Sequence, residues 1–81
     1  MRSISISRMK DPGYTTEIEY DVANNPIYVG ETKPGTNAAD LRWRIRRVDY
    51  DAANNPLNVL WAEGNGNFDK AWNLRRTYTY S

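Results

Sequence analysis

Apolar and polar residues take turns between Tyr14 and Tyr20, with Tyr14, Thr16, Ile18 and Tyr20 on one side of an extended chain and Thr15, Glu17 and Glu19 on the other. A period of two predicts a strand with its apolar side buried and its acidic side in water. The alternation stops at Asp21-Val22-Ala23-Asn24-Asn25-Pro26. There Asp can hydrogen-bond the backbone two residues on, and Asn tolerates the left-handed conformation. This segment predicts a type I turn ending in a left-handed Asn24, with a bulge-like exit. Pro26 holds Asn25 extended and opens the return strand Ile27-Tyr28-Val29.

The same turn is written again at Tyr50-Asp51-Ala52-Ala53-Asn54-Asn55-Pro56, so Val48 to Tyr50 and Leu57 to Trp61 form a second hairpin. Between residues 18–30 and 48–60, seven of thirteen positions are identical in register. The identity lies mostly in the turn, and two copies are too few to build a solenoid. One small sheet is the expected outcome.

Between the hairpins, residues 31–40 are polar and contain Pro34-Gly35, the signature of an exposed link. Leu41 to Tyr50 is the longest strand candidate, with Leu41, Trp43 and Ile45 alternating against Arg42, Arg44 and Arg46. Val48 and Tyr50 fall out of that phase, and a bulge near Arg46-Arg47 would restore one apolar face. Farther on, Phe68, Ala71, Trp72 and Arg75 share a helical face over 68–75, with Asn67 placed as N-cap and Arg75-Arg76 at the end. Thr77-Tyr78-Thr79-Tyr80 alternates as a final strand that pairs at an edge. The expected fold is therefore all-β in the main: a small antiparallel sheet of two hairpins plus a C-terminal strand, with one short helix near 68–75. Residues 1–13 show little pattern and form an extended N-terminal arm, leaving 14–81 as a single small β domain.

Composition sharpens this picture by exclusion. A chain of 81 residues buries only about 60–65% of the surface it exposes unfolded, so its core is modest. With neither cysteine nor histidine in the sequence, disulfides and the usual structural zinc sites cannot reinforce that core. Oligomerisation is the common remaining remedy. Eleven Lys and Arg against ten Asp and Glu give no net charge that would draw nucleic acid or an anionic membrane, and no apolar run approaches the roughly 18 residues of a spanning helix. Membrane association is not expected.

Candidate chemistry is sparse. Arg42, Arg44 and Arg46 would project from one strand face about 6–7 Å apart, a spacing able to contact phosphates or an acidic partner. A solvated face, or cross-strand pairing with an acidic stripe such as Glu17 and Glu19, is the reading the pattern favours. Trp43, Trp61 and Trp72 serve a small core or a subunit contact. The carboxylates fall in turns or on an exposed face, so no catalytic residue, metal ligand or cofactor site is expected, and the chain is read as a non-enzyme.

Taken together, Tyr28-Val29-Gly30-Glu31 with Pro34-Gly35, Trp43-Arg44-Ile45, Trp61-Ala62 with Gly64, Phe68 to Trp72 with Arg76, and the closing Tyr-Thr-Tyr-Ser are distinctive. Over residues 17–81 the sequence resembles a family of small tyrosine-rich proteins encoded by tailed bacteriophages. The resemblance implies a structural protein of the virion, a head, neck or tail component made in the host bacterial cytoplasm. Its partners would be other virion proteins and copies of itself, with Arg42, Arg44, Arg46, Tyr78 and Tyr80 as candidate interface residues. The alternative is a small phage-encoded module contacting nucleic acid or the host through the Arg42/Arg44/Arg46 face, with nucleic acid the less favoured partner. This sequence departs from the family pattern in its Asn-Asn turns and its longer N-terminal arm.

Overall fold

The two copies of the turn close in the same way. In the first, the Asp21 N–H donates to the Asn25 carbonyl (2.9 Å) and the Asn24 N–H to the Asp21 carbonyl (3.0 Å). The Asp21 carboxylate accepts from the amides of Ala23 (2.9 Å) and Asn25 (3.0 Å). Asp51, Ala53, Asn54 and Asn55 reproduce these bonds thirty residues later. Asn24 and Asn54 take φ of 64° and 66°, the left-handed state the sequence predicts for them.

In the computed structural model, which describes residues 2–7 and 13–81, these turns belong to one five-stranded antiparallel sheet. Its strands are β1 (Arg2–Ser7), β2 (Thr15–Tyr20), β3 (Pro26–Thr32), β4 (Arg44–Tyr50) and β5 (Pro56–Trp61), adjacent in chain order. The fold is mainly β, as the alternation predicts. Each hairpin carries a register shift just before its turn, at Glu19/Tyr20 and at Asp49/Tyr50. Because β3 pairs with β4, the turns are neighbours, and the Asn25 side-chain amide donates to the Asn54 side-chain oxygen (2.9 Å). The duplicated sequence thus produces two hairpins laid side by side and joined at their tips.

Several expectations are corrected. The expected bulge at Arg46-Arg47 is absent, since the ladder there to Trp61, Leu60 and Val59 runs unbroken; the register slips instead at Asp49/Tyr50, where β5 carries the extra residue Leu57. As a central strand, β4 carries apolar residues on both faces, Ile45 on one and Val48 on the other, so no phase change is needed. Its ladder begins at Arg44 rather than Leu41. Leu41 is exposed, and Trp43 makes an isolated bridge with Lys70 instead. That bridge, with bonds of 2.8 and 2.9 Å, holds residue 70 extended and prevents a helix over 68–75. Only a 3₁₀ turn, Trp72–Leu74, forms, and Ala71 ahead of it is extended and makes no side-chain cap. The C-terminal strand shrinks to one bridge, Tyr80 with Ala62, flanked by bonds from Trp61 to Ser81 and from Glu63 to Thr79. It does pair at the edge next to β5. Of the expected N-terminal arm, residues 1 and 8–12 lie outside the described residues, while Arg2–Ser7 form β1 and pair with β2, Ile4 opposite Ile18.

One sheet face is covered by the C-terminal segment. Trp43, Ile45 and Ala62 from the sheet side meet Trp72 and Tyr80, with Tyr28, Leu60 and Tyr78 at the margins. The Trp43 and Trp72 rings lie 5.8 Å apart. Trp72 settles over Gly30, where a Cβ would stand 2.5 Å from its Cε3, so the sheet is scooped at that point to admit the ring.

Gly30→Ala is expected to lower stability by about 1–3 kcal/mol through overpacking, read from denaturant unfolding. Both Asn54→Ala and Asn54→Gly lose the bond from Asn25, but Asn54→Ala should cost about 1 kcal/mol more, because only glycine takes the left-handed backbone without strain. Equal stability of the two Asn54 variants would refute the turn assignment.

Candidate functional site

The alternation in β2 predicts that Glu17 and Glu19 face water, and for Glu19 the structure shows the reverse. Glu19 is 2% exposed, on the face that receives the C-terminal segment, opposite Tyr28 in the ladder. That segment arrives with two guanidinium groups: Arg75 Nε lies 2.7 Å from the Glu19 carboxylate, and Arg76 pairs with its other oxygen. Arg75 also lies 4.4 Å from the Trp72 ring centre and donates to the Trp72 carbonyl (3.1 Å). Tyr78 and Tyr80, the expected interface tyrosines, pack on this covered face. The Tyr78 hydroxyl accepts from the Ala71 amide (2.8 Å) and Tyr80 donates to the Arg75 carbonyl (2.6 Å). Burial raises the Tyr80 hydroxyl well above an ordinary tyrosine, as suits a phenol that stays protonated to donate.

By register, the opposite face carries Ile18, Val29, Glu31, Arg44, Arg46, Val48, Val59 and Trp61. At its centre one Glu31 oxygen accepts from Arg44 Nε (3.0 Å) and Arg46 Nη1 (2.9 Å). Burial pushes the Glu31 carboxyl upward, but Arg46 and Arg44 outweigh it and hold the group below its ordinary value. Arg46 and Arg44 also lie 5.6 and 6.0 Å from the Trp61 ring centre. Two of the three arginines singled out from sequence therefore share one carboxylate and one indole. The pairing comes from Glu31 on β3, which the sequence reading placed in the polar link. Arg42 precedes the strand, is exposed, and takes no part in the Glu31 pairing.

Strand β5 lies at one edge of the sheet, and its outer side is open ahead of Trp61. Ala62 donates inward to the Ile45 carbonyl (2.9 Å), and Trp61 exchanges two bonds outward with Ser81 (3.0 and 3.1 Å). Backbone groups alternate in direction along a strand, so the N–H and C=O of Val59 also point outward. Among the described residues neither has a partner there. Val59 is 56% and Leu57 60% exposed, and Pro56–Trp61 carries no charge. Val59 was not singled out from sequence. Its signal was a strand ending in Leu-Asn-Val-Leu-Trp with no charged residue to guard it.

Among the described residues no group of three or more His, Cys, Asp or Glu side chains converges on a point. No family model, no curated protein and no solved structure matches this chain.

The Glu31 pair gives a pH signature. A carboxyl whose folded pKa is depressed stabilises the fold fully above its ordinary 4.5, and that contribution is lost as the pH falls through the lower folded value. Acid titration of unfolding free energy should show this loss, and Glu31→Gln should remove it while leaving the rest of the profile in place. An unchanged profile in Glu31→Gln would exclude the pair as its source.

Proposed function

We propose that this chain is a structural protein of a tailed bacteriophage particle, a head, neck or tail component that acts by protein–protein assembly with other virion proteins and with copies of itself. The phage setting rests on the resemblance over residues 17–81. The assembly mode rests chiefly on one observation, the unpartnered backbone of Val59 on an uncharged, apolar edge strand.

Sheet edges in proteins that remain alone are blunted by charge, proline, bulges or a covering segment. Here Pro56 and the register shift guard the start of β5, and Ser81 covers Trp61. Val59 between them is bare and offers a donor and an acceptor to an added strand. The alternative, contact with nucleic acid or host through Arg42, Arg44 and Arg46 together, is less well supported, since Arg44 and Arg46 are already shared with Glu31.

Mass spectrometry of purified particles should detect the chain at a fixed stoichiometry. Val59→Pro removes only an outward N–H, because Asn58 and Leu60 supply the ladder to β4, and proline is tolerated at such positions. This variant, and Val59→Lys, are expected to fold with circular dichroism like the parent and to be lost from particles. Absence of the parent chain from particles would refute the virion assignment, and normal incorporation of both variants would refute the edge.

A further inference from the structure

Eight Lys and Arg side chains are described, and six of them, Arg44, Arg46, Arg47, Lys70, Arg75 and Arg76, are ion-paired. The two that are not, Lys33 and Arg42, line the same cleft. It lies beside the link between β3 and β4, encloses about 420 Å³, and is completed by Thr32, Thr36, Tyr14 and Phe68. A volume of this order lies within the range of small-ligand sites.

The walls are fixed before any ligand arrives. The Thr32 hydroxyl donates to the Arg42 carbonyl (2.7 Å) and the Thr36 hydroxyl to the Lys33 carbonyl (2.8 Å), so each hydroxyl braces the main chain that carries a cation. The link is tied further by bonds from the Arg42 amide to the Asp40 carbonyl (2.9 Å) and from the Trp43 indole to the Asn37 carbonyl (3.0 Å). Of the acids nearest in sequence, Asp40 directs its carboxylate at the Asn37 amide (3.0 Å) and Glu31 is paired with Arg44 and Arg46. The same cleft is lined by a stacked pair, Tyr14 and Phe68, with centres 5.5 Å apart and planes 18° from parallel. They remain 37% and 39% exposed. Arg44, anchored by Glu31, sits 4.8 Å from the Phe68 centre and 5.4 Å from that of Tyr14, which holds the pair in place.

Two unneutralised cations sharing a cleft with a half-exposed aromatic pair match a ligand that joins an anion to a flat ring. We propose that this cleft binds a nucleotide unit, its phosphate against Lys33 and Arg42 and its base against Tyr14 and Phe68. A carboxylate side chain would use the cations and leave the rings idle, whereas a base stacks on aromatic faces irrespective of its sequence. The unit could be a free mononucleotide or one residue of a single strand, since both present the same phosphate and ring. This site differs from the Arg42/Arg44/Arg46 face expected from sequence and is independent of the Val59 edge.

The test titrates the full chain with adenosine monophosphate, a ten-residue oligothymidylate and inorganic phosphate at low salt, followed by NMR shifts and calorimetry. Adenosine monophosphate or the oligomer should bind at least tenfold more tightly than inorganic phosphate. Arg42→Ala, Lys33→Ala and Phe68→Ala should each weaken binding by about tenfold, with melting curves confirming that the variants fold. Phe68→Leu, which keeps the apolar bulk, covers the case in which Phe68→Ala unfolds. For the oligomer, two phosphate contacts predict a log–log salt slope of about −1.4. Tighter binding of the oligomer assigns a single strand, and equal binding assigns the free nucleotide. Inorganic phosphate binding as tightly as both, no binding up to millimolar concentrations, or affinities unchanged in Arg42→Ala and Phe68→Leu would overturn the proposal.

Discussion

The structure depends most on the carboxylate of Glu19 held between Arg75 and Arg76. A five-stranded meander of this length has no second sheet to pack against, so its core exists only if the C-terminal segment lies down on one face. Removing a carboxylate from water costs several kcal/mol unless opposite charge and hydrogen bonds replace the hydration. At 2% exposure, Glu19 obtains both from guanidinium groups more than fifty residues away in the chain. Arg75 is mostly buried and Arg76 keeps more than half its side chain in solvent, so the cluster retains part of its hydration. Its two bonds fix where the segment sits. Trp72 then falls over Gly30, and Tyr80 reaches the Arg75 carbonyl from the far side of the same turn.

The turns were fully legible in the sequence because their cause is local. Asp21 and Asp51 bond within five residues, and Asn24 and Asn54 need only their own backbone freedom. The pairing within each hairpin followed from its short turn, whereas the pairing of β3 with β4 and of β1 with β2 had no such local signal. What could not be read was which face of β2 would be covered. Alternation shows that Glu19 and Ile18 point in opposite directions, but the direction that meets a neighbour is decided by residues 75 and 76. The same reason underlies the failed helix. Phe68, Ala71, Trp72 and Arg75 have helical spacing, yet the non-local bridge between Trp43 and Lys70 overrides it.

The arginine stripe was half legible. Arg44 and Arg46 do share a face, but their partner Glu31 comes from a stretch read as loop, and Arg42 leaves the strand just before it begins. Arg2–Ser7 alternates Ile with Ser in a period of two, a strand signal obscured by its brevity and by the patternless residues that follow. The cleft had no sequence signal at all, because it becomes visible only when every other described cation is found to have a partner.

The open stretch of β5 is short. Proline and a bulge close it on one side and Ser81 on the other, leaving the peptide groups of a single residue free. A strand docking there gains about two hydrogen bonds, each worth on the order of 1 kcal/mol net, together with the contact of an exposed valine. On the assembly reading, each such joint alone would be weak and would exchange rapidly. Permanence would have to come from many joints closing together, since linked sites raise avidity by orders of magnitude without any new contact. A gap one residue wide therefore suits an array and makes a poor clasp for an isolated pair.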